Sequence, residues 1–375
     1  MTKLCRHYKE CGGCSFQEIP YEEQAKQKLI KLREACGLED AQLITSENIF
    51  GFRNKMEYSF EGENLGLHPR GKFAEVVDLK ECPVFSEWVG PFLEKVREFA
   101  RTHNIPYYQR RGKKGMLKYL ILRESKFTGQ KMVILVVNSE DFSYAEEFST
   151  MVNESLEGLA SVVLAFQPSS GDSALTENYQ VLSGREYIAM ELGHLSLEIS
   201  PYAFFQPNSY QIENLYSLIS ENIEDECSIL DLYSGIGSIV FFLDRPGRTI
   251  AGVESYPACL RDAEHNRQLI SPKGDIRFIN EGVRSYSAKI EGDYDYIIVD
   301  PPRGGMSYRI WLRLNEFTLR SKKIKKVFYV SCSLRNFEDD LKLLKEKTSW
   351  KLKKVTGVDQ FVHTPHLEMV AEFEI

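Results

Sequence analysis

Two side chains near the C-terminal end are of the types that carry covalent chemistry. Cys332 stands in Phe328-Tyr329-Val330-Ser331-Cys332-Ser333, at the carboxyl end of an apolar run that reads as a strand. Inside such a run a cysteine packs as a small hydrophobe; at its mouth it can meet a substrate. Glu368 stands in His363-Thr364-Pro365-His366-Leu367-Glu368-Met369-Val370, just before the final strand-like run. Alone, that glutamate reads as a solvated turn residue. The pair together suggests a nucleophile and a base.

The same sheet edge carries a nucleotide crevice. Ile229-Leu230-Asp231-Leu232-Tyr233-Ser234-Gly235-Ile236-Gly237-Ser238 runs from a buried strand through a Gly-x-Gly turn into an apolar helix. Gly235 and its neighbours up to Ser238 allow a ligand close to the backbone. About twenty residues on, Ala251-Gly252-Val253-Glu254 ends a second strand, where an acidic residue can accept from ribose hydroxyls. The third glycine of a dinucleotide fingerprint is absent, so a nucleoside-type cofactor fits better than NAD, and S-adenosylmethionine is the expected one. Asp300 ends a third apolar strand in Val299-Asp300-Pro301-Pro302-Arg303-Gly304-Gly305, where the prolines remove two donors and fix the turn.

A second constellation lies at the other end of the chain. Of eight cysteines, three form Cys5-x5-Cys11-Gly12-Gly13-Cys14, and Cys82-Pro83 offers a fourth ligand. Without a signal peptide the chain is expected to be cytoplasmic, where clustered cysteines bind metal more often than they form disulfides. Ligand type and spacing suit zinc or an iron–sulfur cluster alike. Cys36, Cys227 and Cys259 read as incidental or buried thiols.

The elements that must position these groups follow from hydrophobic periodicity. The 375 residues suggest two domains, and 43% hydrophobic with 27% charged residues excludes a disordered or fibrous chain. No apolar run is long enough for a membrane span, so no membrane partner is expected. The expected division is 1–195, an N-terminal cysteine motif and a mixed, largely antiparallel α+β domain, followed by 196–375, a doubly wound α/β domain. Helices are expected at 21–35, 85–102, 208–223, 257–269, 308–320 and 336–346. Strands are expected at 56–60, 74–79, 117–124, 131–138, 161–166, 228–233, 247–254, 275–280, 294–300, 326–331 and 368–375. Residues 166–178 read as a loop.

Residues 206–375 resemble the RNA 5-methyluridine methyltransferases. The motifs stand as Phe205-Gln206-Pro207-Asn208, Asp231 to Gly237, Gly252-Val253-Glu254, Asp300-Pro301-Pro302-Arg303, Val330-Ser331-Cys332 and Pro365-His366-Leu367-Glu368. The cysteine set and Gly51-Phe52-Arg53-Asn54-Lys55 resemble the iron–sulfur branch of that family. The resemblance implies a Rossmann-like S-adenosylmethionine methyltransferase domain behind an RNA-binding α+β domain. It implies Cys332 as nucleophile and Glu368 as base, with Gln206, Tyr233, Glu254 and Asp300 on the cofactor and the flipped base. It favours a 4Fe–4S cluster on Cys5, Cys11, Cys14 and Cys82 over zinc. Ser234 stands where relatives often have cysteine, and Ser333 where they usually have asparagine.

The expected substrate is RNA, although the net charge is -7. Tyr107–Lys126 supplies a local basic and aromatic stretch, with Arg110, Arg111, Lys113, Lys114, Lys118, Arg123 and Lys126 around Tyr107, Tyr108 and Tyr119. A solvated cationic hairpin is the alternative. Lys322, Lys323, Lys325 and Lys326 read as a helix-end face. By analogy with compact cluster-bearing relatives that lack a leading β-barrel domain, 23S rRNA is expected over tRNA, with rRNA processing as the role and a monomer as the working form. The competing readings are a tRNA uridine-C5 methyltransferase, a base-amino methyltransferase and a non-catalytic iron–sulfur RNA-binding module.

Overall fold

The computed structural model describes residues 4–168 and 173–375. The four residues 169–172 of the expected 166–178 loop lie outside the described residues. Among the described residues no helix is long and apolar enough to cross a membrane.

In chain order the first half contains α1 (Tyr21–Cys36), β1 (Gln42–Ile44), β2 (Lys55–Glu61), β3 (Asn64–Leu67), β4 (Val77–Asp78), α2 (Val89–Thr102), β5 (Leu117–Glu124), β6 (Lys131–Val137), α3 (Ala145–Ser155), β7 (Leu159–Phe166), β8 (Tyr179–Gly184), β9 (Ile188–Leu192) and β10 (Leu195–Ile199). A seven-stranded sheet runs β4-β3-β2-β5-β6-β7-β8. It is antiparallel apart from the parallel pair β6 and β7, which α3 connects. The α2 helix buries Val89, Phe92, Leu93, Val96 and Phe99 against this sheet. Gly66 lies where strands β3 and β4 approach most closely. A Cβ there would come within 2.0 Å of the Val77 carbonyl, so the strands close only over glycine.

The second half contains α4 (Ile212–Ser220), β11 (Ser228–Leu232), α5 (Ser238–Phe242), β12 (Thr249–Glu254), α6 (Pro257–Ile270), β13 (Asp275–Asn280), α7 (Val283–Tyr286), β14 (Tyr296–Val299), α8 (Tyr308–Arg320), β15 (Lys326–Ser331), α9 (Leu334–Lys347), β16 (Lys351–Val358) and β17 (Glu368–Glu374). Its sheet runs β1-β16-β17-β15-β14-β11-β12-β13. Strands β13, β12, β11, β14 and β15 are parallel, and β17 is antiparallel to both its neighbours. The chain order reverses between β11 and β14, which opens a crevice at their carboxyl ends.

Two relationships cross between the halves. Strand β1 pairs in parallel with β16, and α1 packs beside α9, so residues 21–44 lie with the C-terminal sheet. The expected boundary at 195/196 falls in the hairpin of β9 and β10, whose inward residues Ile188, Met190, Leu192, Leu195, Leu197 and Ile199 alternate with period two.

Candidate active site

The crevice is built where β11 ends. Tyr233 turns the chain with φ 67°, and its amide and that of Ser234 donate to the Val253 carbonyl at 3.0 and 3.1 Å. Gly237 has φ 80°, and a Cβ there would come within 2.7 Å of the Phe278 ring. That position therefore excludes any larger residue.

Glu254 closes the β12 end. Its Oε2 accepts from the Gly235 amide at 3.1 Å, and its Oε1 from the amides of Ser255 and Tyr256 at 2.6 and 2.7 Å. Asp231 is fully buried, and neither carboxylate oxygen has a hydrogen-bond partner; the Ser234 hydroxyl is likewise orphaned. Burial and the carboxylates of Asp300 and Glu254 push Asp231 well above the usual range. Burial pushes Asp300 up to about 7. Such a nest of desolvated carboxylates calls for a cation. The sulfonium and ammonium of S-adenosylmethionine fit that requirement, and Glu254 is of a type that could accept from ribose hydroxyls.

Gln206 joins the crevice from outside the sheet. Its Nε2 donates to Asp300 Oδ2 at 3.4 Å. Asn54 fixes it from the first half, donating from Nδ2 to the Gln206 carbonyl at 2.7 Å and to the Ser209 hydroxyl at 3.1 Å. The Asn54 amide donates to the Pro207 carbonyl at 3.0 Å. The Gly51–Lys55 motif is thus a buried fastening between the halves.

Cys332 and Glu368 meet at the β15 and β17 ends. Ser331 pairs with Met369, so Cys332 and Glu368 are the next positions in the antiparallel register. Cys332 is half-buried, and Glu368 is 3% exposed. Burial, then the Glu368 carboxylate, pushes the thiol up to about 11, while the Arg303 guanidinium pulls it down. Burial and Asp300 push Glu368 well above the carboxylate range. Ser333 caps α9 by accepting from the Asn336 amide at 3.4 Å. Asn336 Nδ2 in turn donates to the Arg303 carbonyl at 2.9 Å. The serine thus keeps the cap behind the nucleophile.

The structure brings Gln206, Tyr233, Gly235, Glu254, Asp300, Cys332 and Glu368 to one sheet mouth. Ser238 begins α5 with its hydroxyl 2.9 Å from that of Tyr216. Sequence reasoning passed over Gln360, whose Nε2 donates to Gln206 Oε1 at 3.4 Å. Its only signal is a polar residue inside an apolar run.

Cys5, Cys11, Cys14 and Cys82 line one cavity of about 60 Å³, together with Arg53 and Phe361. Among the described residues no group of His, Cys, Asp or Glu is placed to hold a metal ion, so the structure shows neither the expected 4Fe–4S cluster nor the zinc alternative.

The basic stretch behaves otherwise than expected. Arg110 pairs with Glu61 at 2.9 Å, and Lys126 pairs with Glu124. Lys118 is buried and donates to Gln167, and Arg123 is buried and donates to the carbonyls of Pro201 and Ala203. Only Arg111, Lys113 and Lys114 are exposed cations there. The paired cations fasten elements together, because a buried charge persists only with partners.

The family described as tRNA (uracil-5-)-methyltransferase matches residues 283–372. The chain is 33% identical over 371 residues to tRNA (uracil(54)-C(5))-methyltransferase of Pyrococcus horikoshii, covering 98% of this chain and 84% of that one. It is 31% identical to the enzyme of the same name from Pyrococcus abyssi, over 98% of this chain and 85% of that one. The crystal structure of the P. abyssi enzyme with S-adenosyl-L-homocysteine superposes with a TM-score of 0.82 at 30% identity, over 99% of this chain and 87% of that one. The architecture is therefore that of a mixed α/β RNA-modifying methyltransferase. The chain belongs to the RNA 5-methyluridine methyltransferase family. These relatives are named as tRNA enzymes and lend no support to the expected 23S rRNA substrate or rRNA-processing role.

Proposed function

We propose that this protein methylates C5 of a uridine in tRNA, with S-adenosylmethionine as methyl donor. The observation that carries the reading is Cys332 beside Glu368 at the mouth of the carboxylate-lined crevice. The uridine of the Pyrococcus relatives, position 54, is the first target to test.

C5 of uracil is a weak nucleophile. The Cys332 thiolate adds to C6, forming an S–C6 bond and moving the ring electrons into an enolate that makes C5 carbanion-like. The cofactor supplies an electrophilic methyl group to that carbon. Glu368 then takes the C5 proton, the C5=C6 bond re-forms and the Cys332 thiolate leaves. A carboxylate raised by burial is a stronger base, suited to that proton. Gln206, Tyr233, Gly235, Ser238, Glu254 and Asp300 are assigned to the cofactor and the flipped base.

In this reading residues 196–375 are the catalytic domain and 1–195 the RNA-binding part, with α1 and β1 lent to the catalytic sheet. The four cysteines are assigned to a 4Fe–4S cluster that fastens the N-terminal segment. The decisive experiment is mass mapping of modified nucleosides in tRNA and 23S rRNA incubated with the purified enzyme. Methyluridine at C5 in tRNA supports the proposal, and methylation of 23S rRNA alone overturns its substrate.

A further inference from the structure

The loop between β16 and β17, residues 359–367, leads into Glu368. It is held from the far end of the sequence. Lys28 and Asp359 form an ion pair at 2.6 Å with side chains 1% and 0% exposed. Lys28 Nζ also donates to the Phe361 carbonyl at 3.1 Å. The other Asp359 oxygen accepts from the Tyr21 hydroxyl at 3.1 Å, and Tyr21 accepts from the Ser46 amide at 2.6 Å. One turn earlier, Gln24 Oε1 accepts from the His363 amide at 3.0 Å, and its Nε2 lies 3.1 Å from His363 Nδ1. The buried Lys28 and Gln24 and the partly buried Tyr21 of α1 thus grip this loop at residues 359, 361 and 363.

The gripped loop carries Gln360, whose amide donates to Gln206, which itself reaches Asp300. A buried ion pair adds little stability over an apolar pair of the same volume, but its hydrogen bonds are directional. Lys28 uses its donors on two atoms of one loop.

We infer that Lys28, through Asp359, is a positioning residue for methyl transfer, holding the 359–367 loop so that Glu368 meets the ring carbon to which Cys332 is bonded. The inference rests on the assignment of Glu368 as the base. It places Lys28 outside the reacting atoms, and its loss slows proton removal more than thiol addition. Displacing the base by an ångström lowers turnover about a hundredfold.

The test compares the wild-type enzyme, Asp359→Asn, and the double variant Lys28→Met/Asp359→Leu, with tRNA substrate. Turnover, the KM for S-adenosylmethionine, the thermal midpoint and the fraction of enzyme covalently bound to ordinary uridine RNA are measured. The double variant is expected to melt near the wild type, to lose turnover, and to accumulate the covalent adduct. Recovery of both melting and turnover in the double variant overturns the inference, because the pair is then merely structural. Should the double variant fail to fold, Asp359→Asn decides below its melting temperature: adduct accumulation with lowered turnover supports positioning, and wild-type turnover overturns it. If the wild type itself forms no adduct with 5-fluorouridine RNA, the failure lies with the covalent reading and not with Lys28.

Discussion

Cys332 and Glu368 stand one register step beyond the Ser331 and Met369 pair, on neighbouring antiparallel strands of the C-terminal sheet. The Glu368 carboxylate raises the thiol's affinity for a proton, and Asp300 raises that of Glu368, because anions in one desolvated site repel. A nucleophile and a base so arranged cannot both be ionised cheaply, and the order of proton loss becomes part of the reaction.

Replacing Glu368 by Gln removes the negative neighbour and the proton acceptor together. Thiol addition should proceed, and elimination should stall. We expect a covalent enzyme–RNA complex to accumulate on denaturing gels. Cys332→Ala should give neither adduct nor product while still binding S-adenosylmethionine. Product formation by Cys332→Ala would refute covalent catalysis.

The pH dependence has a definite sign. The thiol of Cys332 is pushed up to about 11, so at neutral pH the reactive thiolate is the minor form. Its fraction rises about tenfold per pH unit below that value. The rate of adduct formation with 5-fluorouridine RNA should therefore climb between about pH 7 and 9. Arg303→Met removes the cation that lowers the thiol, and should slow adduct formation by a similar factor throughout that range. A flat profile would show that thiol ionisation does not limit addition.

Asn54→Ala leaves the buried Gln206 carbonyl without its donor at 2.7 Å. An orphaned buried acceptor costs about 1–3 kcal/mol. Denaturant titration should register that loss. Turnover should fall as well, because Gln206 holds Asp300.

Cys82→Ser should lower the iron bound per chain and bleach the absorbance of reconstituted enzyme in the 400 nm region to about background. The cysteine lies in the wall of the four-thiol cavity, beneath the Gly51–Lys55 fastening. Unchanged iron content would remove Cys82 from the ligand set.

The strands that carry the crevice were legible because they are short apolar runs ended by glycine, proline or acid. Residues 275–280, 308–320 and 326–331 match their observed bounds. Strand β16 was missed because Lys351, Lys353 and Lys354 break its apolar pattern on the solvent side. The β9–β10 hairpin was missed despite a plain alternation around Gly193, which has φ 56°. The basic stretch misled for a different reason. Composition records a cation but not its partner, and Glu61, Glu124 and Gln167 are supplied from elsewhere in the fold. The roles of Lys28 and Asn54 were illegible because they depend on contacts across 331 and 152 positions.

The pairing of β1 with β16 joins an early-synthesised segment to one of the last. Until the ribosome has delivered residues 351–374, the catalytic sheet has an open rim and the α1 helix has no seat. Completion of the active centre is thereby tied to completion of the polypeptide. A prematurely terminated chain keeps its crevice-lining turns but lacks the clasp that shuts them, and its bare rim invites other strands instead.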